Sequence, residues 1–293
     1  MTSTTSALCF ARIIGTRWKS KSFARTPSAW RTTSPYEDLD VCRPSNLANE
    51  TTGEPGHQRL AQTGDILREF GPALYSADGP TVPFHGVPYP TRMAVAQLPD
   101  GGLWVWSPLP LTGQLVREVE ALGTVKHIVS PNPLHHRFLR EWALHWPNAL
   151  LHAPPGLARK RPDLDFDVDL GIHANGPSLT GIIDQVVFRG SFAMEEVVFF
   201  HRASRTAIFA DLIQRFPPSA AKGWKGMLMR LAGLVGEHGG TPPDWQASFL
   251  RRKPARIARS AVLAWNPQRL LIAHGECVRT GAAAVIAAAL AWI

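Results

Sequence analysis

The chain has 293 residues, of which 45% are hydrophobic, and a formal net charge of +8. Its three cysteines (Cys9, Cys42 and Cys277) have no CxxC spacing, which argues against a disulfide framework and against a thiolate zinc site. No apolar run reaches the roughly 18 residues needed to span a bilayer. The composition therefore predicts a soluble, cytoplasmic protein without a membrane partner.

The positive charge is concentrated near the N-terminus. Residues 1–36 contain no acidic residue, the first being Glu37. This segment is typical of a transit peptide, which would direct the chain to an organelle if the source is eukaryotic, but a misassigned start codon would give the same composition. We predict that residues 1–65 are a disordered basic tail and that residues 66–293 are a single domain. Nucleic acid is not an expected partner, because the sequence lacks a basic-aromatic platform and a recognition helix.

The first half of the predicted domain begins with short extended pieces at 73–75 and 81–84. Residues 92–98 and 103–107 flank Asp100-Gly101-Gly102, a pattern that predicts a β-hairpin. Thr112 is a predicted N-cap for a helix that ends at Leu122, before Gly123. Strands are predicted at 126–129 and 149–152 with a helix at 138–146 between them, and residues 154–176 are expected to form a surface excursion.

The second half predicts three consecutive strands at 182–188, 196–201 and 206–210. Helices at 223–234 and 254–265 precede a last strand at 270–273 and a closing helix. Because strands cluster at both ends of the domain and helices lie between them, the pattern favours two packed sheets flanked by helices.

Metal-capable side chains follow three of the predicted strands. His135 and His136 follow the strand at 126–129, Asp211 follows the strand at 206–210, and His274 follows the last strand. Imidazole and carboxylate are the ligands that zinc or iron takes in a thiol-poor site. The simpler alternative is that His135 hydrogen-bonds Asp211 and that His274 only caps a strand end.

Four short motifs stand out along the predicted domain. They are Pro90-Thr91-Arg92-Met93, the run from Gly102 to Pro108, Ser130-Pro131-Asn132 with His135-His136, and the run from Phe199 to Thr206 leading to Asp211-Leu212. These motifs resemble the domain of unknown function 4336 (DUF4336) family, a divergent branch of the metallo-β-lactamase superfamily. The resemblance implies an α+β fold, an αββα sandwich of two packed mixed β-sheets flanked by helices, with a site at one edge of the sheets.

The same resemblance implies a partly degenerate metal site. The first two histidines of the superfamily motif H-x-H-x-D-H fall on Pro131 and Pro133, which cannot bind metal, and the middle histidine falls near Gly190-Ser191. The superfamily site has positions for two metal ions, and the ligand positions of the second ion all hold residues that can still bind a metal. We therefore expect one zinc or iron ion at His135, His136, Asp211 and His274, with Asp211 and His136 also acting in catalysis.

The resulting prediction is a mononuclear metal-dependent hydrolase. It would use metal-bound water on a small ester, thioester or phosphorylated substrate; the alternative is a non-catalytic binding or structural descendant of the fold. His201, Arg202 and Arg205 form a predicted cationic turn that would bind an anionic group of a small molecule, unless it is only a solvated hairpin tip. Glu276 is predicted to orient the imidazole of His274.

Overall fold

The computed structural model describes residues 66–84, 87–172 and 179–293. The predicted tail, residues 1–65, lies outside this described part of the chain. The strands are β1 (Arg68–Gly71), β2 (Leu74–Asp78), β3 (Val82–Phe84), β4 (Val87–Tyr89), β5 (Arg92–Gln97), β6 (Gly102–Trp106), β7 (Thr124–Val129), β8 (Leu150–Ala153), β9 (Val168–Asp169), β10 (Ile183–Phe188), β11 (Glu196–His201), β12 (Thr206–Phe209) and β13 (Arg269–Ile272). The helices are α1 (Gly113–Leu122), α2 (Leu139–His145), α3 (Leu157–Lys160), α4 (Gly223–Leu231), α5 (Pro243–Ser248), α6 (Arg252–Ala264) and α7 (Ala282–Ala289).

Eleven of these strands form two mixed sheets. The seven-stranded sheet has the order β1-β2-β5-β6-β7-β8-β9 and the four-stranded sheet the order β10-β11-β12-β13, while β3 and β4 form a separate two-stranded ribbon. The first sheet is antiparallel from β1 to β6 and parallel from β6 to β9. In the second sheet, β12 and β13 are parallel and the other pairs are antiparallel.

The two sheets pack face to face around a shared apolar core. Trp104 and Val129 of the first sheet belong to the same buried cluster as Phe199 and Ile208 of the second. The ring of Trp104 meets that of Phe199 edge-on, with centroids 5.2 Å apart. The outer faces of the sheets are covered by helices: α1 and α2 pack on the first sheet, and α5, α6 and α7 on the second. This confirms the predicted αββα sandwich.

Most of the predicted elements are present, and several short ones were missed. The hairpin β5–β6 turns through Gly101, whose φ of +76° suits glycine, and the Thr112 hydroxyl accepts a hydrogen bond from the Leu115 amide at 3.2 Å. The segment 154–176 was expected to be a surface excursion. Within its described residues it contains α3 and the edge strand β9, which pairs with β8. No helix in the described ranges is long and apolar enough to cross a bilayer.

Candidate metal centre

Three of the predicted ligands meet at one edge of the sandwich, in the loops that follow β7, β12 and β13. His135 Nε2 lies 3.1 Å from Asp211 Oδ2, and His274 Nε2 lies 3.1 Å from Asp211 Oδ1. One ligand atom from each of the three residues lies within 4.8 Å of the others. Asp211 and His274 are buried, and His135 is largely so. The two imidazoles thus face the two oxygens of one carboxylate.

The outer nitrogen of each imidazole is held by a hydrogen bond. His274 Nδ1 donates to the backbone carbonyl of Pro90 at 2.7 Å, and His135 Nδ1 lies 2.7 Å from the hydroxyl of Ser107, just after β6. Because a carbonyl oxygen only accepts, Nδ1 of His274 carries a proton. These contacts fix the ring orientation and turn both Nε2 atoms toward Asp211, as in the usual arrangement of metal-binding histidines.

Asp211 is held in place by Asn132 and Glu196, two residues for which the sequence predicts no role. Asn132 Nδ2 donates to Asp211 Oδ2 at 2.7 Å and to Glu196 Oε2 at 3.0 Å, so one amide joins two buried carboxylates. Glu196, at the start of β11, also accepts the backbone amides of Ala210, Asp211 and Leu212. The loop that carries Asp211 is therefore anchored to the neighbouring strand.

The loop after β7 is also tied directly to the second sheet. The backbone carbonyl of Pro131 accepts a hydrogen bond from the amide of Val197 at 2.8 Å. Pro131 occupies the position where the resemblance places a metal-binding histidine in the superfamily. In this chain, the same position links the two sheets instead.

Burial and the charges of neighbouring groups shift the pKa values of three side chains at the centre. Burial opposes ionisation of Asp211, but His135 and His274 hold its pKa well below the ordinary value. Burial alone would lower the pKa of His274, yet the hydrogen bond to Asp211 and its charge raise it. Burial, reinforced by the charge of Asp211, raises the pKa of Glu196 to about 7. The pairing of Asp211 with two imidazoles thus stabilises a cation between them, whether a proton or a metal.

His136 does not join this group. Its Nδ1 lies 3.0 Å from Nη1 of Arg161, and its carbonyl accepts a second bond from the same guanidinium. The pKa of His136 is lowered by burial and by the nearby charges of Lys160 and Arg161. Residues 133–138 form consecutive turns, in which adjacent side chains diverge by about 100°. For this reason His135 and His136 do not face the same point.

The predicted cationic turn lies away from the centre. Arg202 forms an ion pair with Asp184, Arg205 donates to the carbonyl of Asn266, and His201 is buried against Ser204. In the β11–β12 hairpin this turn and the loop carrying Asp211 are at opposite ends of the strands, about 15 Å apart at 3.3 Å per residue. The structure therefore does not bring this turn together with the three ligands.

Glu276 does not orient His274 either. Its carboxylate lies 3.3 Å from Nη1 of Arg215 and is 53% exposed, whereas the carbonyl of Pro90 holds the imidazole. A different residue supports the loop that carries His274. Nη1 of Arg92 donates to the carbonyls of Ile272 and Gly275, at 2.5 Å and 2.9 Å.

A cavity of about 700 Å³ opens above the three ligands. This volume is within the range of about 300–1,000 Å³ that is usual for small-molecule sites. His135, Asp211 and His274 form part of its wall, and none of the residues of the cationic turn lines it. Most of the remaining wall is apolar; it includes Leu109, Leu134, Phe138, Met194 and Trp245.

Signals for some of the missed residues were present in the sequence. Pro90, Arg92, Ser107 and Asn132 all lie within the motifs that carry the family resemblance. Glu196 is followed directly by four apolar residues of its strand, and a buried charge in such a strand requires partners. What the sequence could not supply was the partner of each, because the contacts of Asn132 join residues 64 and 79 positions apart.

Comparison with known proteins agrees with this architecture. The family model described as "Domain of unknown function (DUF4336)" matches residues 82–157. No curated protein matches the chain.

Solved structures of low sequence identity share the fold. A metallo-β-lactamase from Pontibacter korlensis is 11% identical with a TM-score of 0.51, covering 77% of this chain and 98% of its own. The FIM-1 metallo-β-lactamase from Pseudomonas aeruginosa, in its mono-zinc form, is 12% identical with a TM-score of 0.51, and the match covers 78% of this chain and 96% of FIM-1. The metal-soaked Flv1 flavodiiron core from Synechocystis sp. PCC6803 is 11% identical with a TM-score of 0.52, and the match covers 78% of this chain and 60% of the Flv1 core. The chain thus has the metallo-β-lactamase fold, and its residues 82–157 match the DUF4336 family.

Proposed function

We propose that the chain is a mononuclear metal-dependent hydrolase in which His135, Asp211 and His274 hold one zinc or iron ion. The convergence of the three side chains is the observation that carries this proposal, since one ligand atom from each of His135, Asp211 and His274 lies within 4.8 Å of the others. Because Nδ1 of His274 donates to a carbonyl, its Nε2 either carries the second proton of an imidazolium or presents a lone pair to Asp211 Oδ1 at 3.1 Å. In the second state a metal ion would take the place of that proton.

The donor set fits a divalent metal. Ligand atoms bonded to zinc at 2.0–2.1 Å in a tetrahedron are about 3.3 Å apart. Each imidazole nitrogen lies 3.1 Å from its own oxygen of Asp211, a distance that suits a hydrogen bond as well as a shared metal ion. Catalytic zinc sites use three protein ligands and leave a fourth position open, whereas structural sites are closed by four. With His136 directed to Arg161, three of the four predicted ligands remain, which favours a catalytic site with an open position.

The metal would supply Lewis-acid polarisation of the scissile carbonyl or phosphoryl group. The surrounding residues keep the ligands in place. Ser107 and the Pro90 carbonyl hold the two imidazoles, and Asn132 with Glu196 holds Asp211. The apolar wall of the cavity would exclude water from the body of a substrate, which strengthens polar interactions at the centre.

The size and lining of the cavity support a small ester, thioester or phosphorylated substrate. A volume of about 700 Å³ accommodates an organic molecule. A single metal is also compatible with the fold, since FIM-1 has a mono-zinc form.

The decisive experiment is metal analysis of the purified full-length chain by mass spectrometry, after loading with zinc or iron and dialysis. We expect about one metal ion per chain in the wild type, loss of the metal in His274→Ala, and retention in the matched control His136→Ala. Loss in both variants would restore the four-ligand site. Absence of metal in the wild type would refute the proposal and favour the non-catalytic alternative. Hydrolase activity would then be screened with the metal-loaded wild type and the His274→Ala variant.

A further inference from the structure

One side of the cavity is cationic and has no role in holding the metal. His136, Arg137 and Lys160 line it together, next to the three ligands. Lys160 and Arg137 are exposed, and neither forms an ion pair with an acid of the described residues. Asp244 also lines the cavity and is exposed. Besides Asp211 and Asp244, the wall of the cavity therefore has these three cationic or N–H-donating side chains and a largely apolar remainder.

The hydrogen bond from Arg161 determines what His136 offers to this cavity. A guanidinium only donates, so Nδ1 of His136 is an acceptor in this geometry, and the proton of the ring is on Nε2. No hydrogen bond from the described residues involves Nε2. Arg161 is itself paired with Asp163 through two contacts of 2.7 Å. Its charge is therefore compensated, and its effect on the cavity is to fix His136 as a donor.

Lys160 adds further donors at the same side. Its ammonium gives one hydrogen bond to the carbonyl of Pro133 at 2.7 Å, which leaves two of its three N–H groups free. Arg137 stacks over the ring of Phe138 with its guanidinium carbon 5.9 Å from the centroid. A neutral N–H, an ammonium and a guanidinium beside an apolar wall form a suitable site for an oxyanion.

We propose that His136, Arg137 and Lys160 bind the carboxylate or phosphate group of an amphipathic organic anion. Its apolar body would contact Leu109, Phe138 and Trp245. This assignment deepens the proposed function and rests on it for the reacting bond, which would lie at the ligand cluster. The anion site itself is built from residues that hold no metal, so its binding is measurable without the metal.

The test uses the full-length chain stripped of metal by EDTA, so that an anion has no metal to bind. Isothermal titration calorimetry would compare 2-naphthoate and 2-naphthyl phosphate with the neutral isostere 2-naphthamide. We expect at least one anion to bind about 10-fold more tightly than the amide. A tenfold ratio corresponds to about 1.4 kcal/mol, and one hydrogen bond to a charged group contributes about that much or more. The tighter of the two anions identifies the oxyanion.

Two variants and a control locate the binding. Lys160→Met and His136→Phe should each weaken anion binding about 5-fold to 10-fold and leave 2-naphthamide binding unchanged, which also shows that the variants are folded. Lys126→Met is the matched control, since Lys126 pairs with Asp100 at 2.7 Å outside the cavity. Equal binding of anion and amide, unchanged anion binding in both variants, or no measurable anion binding would overturn the proposal. Metal content of Lys160→Met should equal that of the wild type, so failure of the metal site and failure of the anion site give different results.

Discussion

Replacing Asn132 by leucine tests whether one amide holds the candidate centre together. Leucine has the same branched outline and the same number of side-chain heavy atoms as asparagine, so the change removes hydrogen bonds and leaves no cavity, although its larger methyl groups add some overpacking. The side chain is fully buried. Its Nδ2 group donates to Asp211 and Glu196, and its Oδ1 accepts the amide of Leu134 at 2.9 Å.

The expected cost follows from these three bonds. A hydrogen bond to a charged group contributes about 1.5–3 kcal/mol, and a neutral one about 1 kcal/mol. The bond to Asp211 is ionic, the bond to Glu196 is ionic only in part at neutral pH because the pKa of Glu196 is about 7, and the third bond is neutral. Together they sum to about 3.5–7 kcal/mol, and relaxation of the loop reduces this to an expected loss of about 3–5 kcal/mol in the free energy of unfolding. A loss of this size places the change among the most destabilising single substitutions.

The assay is urea unfolding of the metal-free full-length chain at neutral pH, followed by tryptophan fluorescence and circular dichroism. Asn148→Leu, at an exposed turn position, is the control and should change the free energy of unfolding by about 0.5 kcal/mol or less. A loss below about 1 kcal/mol in Asn132→Leu would refute the reasoning, because it would mean that the two carboxylates do not depend on this amide.

Two further predictions concern other buried polar groups. Burial, with the charge of His127, lowers the pKa of His152 to about 3, so the folded state keeps this ring neutral while the unfolded chain takes up a proton below about pH 6.5. The stability that depends on the neutral ring is complete above that pH, and it is lost at about 1.4 kcal/mol per pH unit as the pH falls toward 3. Urea unfolding of His152→Gln should therefore show a free energy of unfolding that changes less steeply with pH, by about this slope, between pH 6 and 5. An unchanged slope would contradict the assignment. Arg92→Met should lower the free energy of unfolding by about 2–3 kcal/mol, because Arg92 donates to the carbonyls of Ile272 and Gly275. The same substitution should weaken metal binding about 10-fold or more, because it releases the loop that carries His274. Competition with a chelator would measure the metal affinity. An affinity equal to that of the wild type would show that this loop keeps its conformation without Arg92.

Much of the sandwich was predictable because its elements are encoded locally. The β5–β6 hairpin depends on Asp100-Gly101-Gly102, and helix α1 depends on the cap at Thr112, which are signals contained in a few adjacent residues. The convergence of His135, Asp211 and His274 was predictable for a different reason. Each follows a buried strand, and the ends of strands gather at the edge of a sheet.

The remaining parts of the centre depend on contacts that no local pattern specifies. His136 fits the family motif by position, but its direction is set by a turn and by Arg161, 25 residues later in the chain. Arg202 and Arg205 follow a strand as the ligands do, yet an antiparallel hairpin places its turn at the opposite end. The prediction for Glu276 depends on its closeness to His274 in sequence, whereas the group that orients that ring is a backbone carbonyl 184 residues away.

The hydrogen bonds from the Val197 amide to the Pro131 carbonyl and from Asn132 to Glu196 place the centre at the junction of the two sheets. Natural selection therefore acts on these residues twice, once for any chemistry and once for folding. In a lineage that abandoned catalysis, Asn132 and Glu196 would persist because the sandwich needs them. His136 and Lys160, whose contacts are with Arg161 and with the Pro133 carbonyl and do not join the two sheets, would be freer to change. The order in which these positions diverge among relatives would then record whether, and when, the activity was lost.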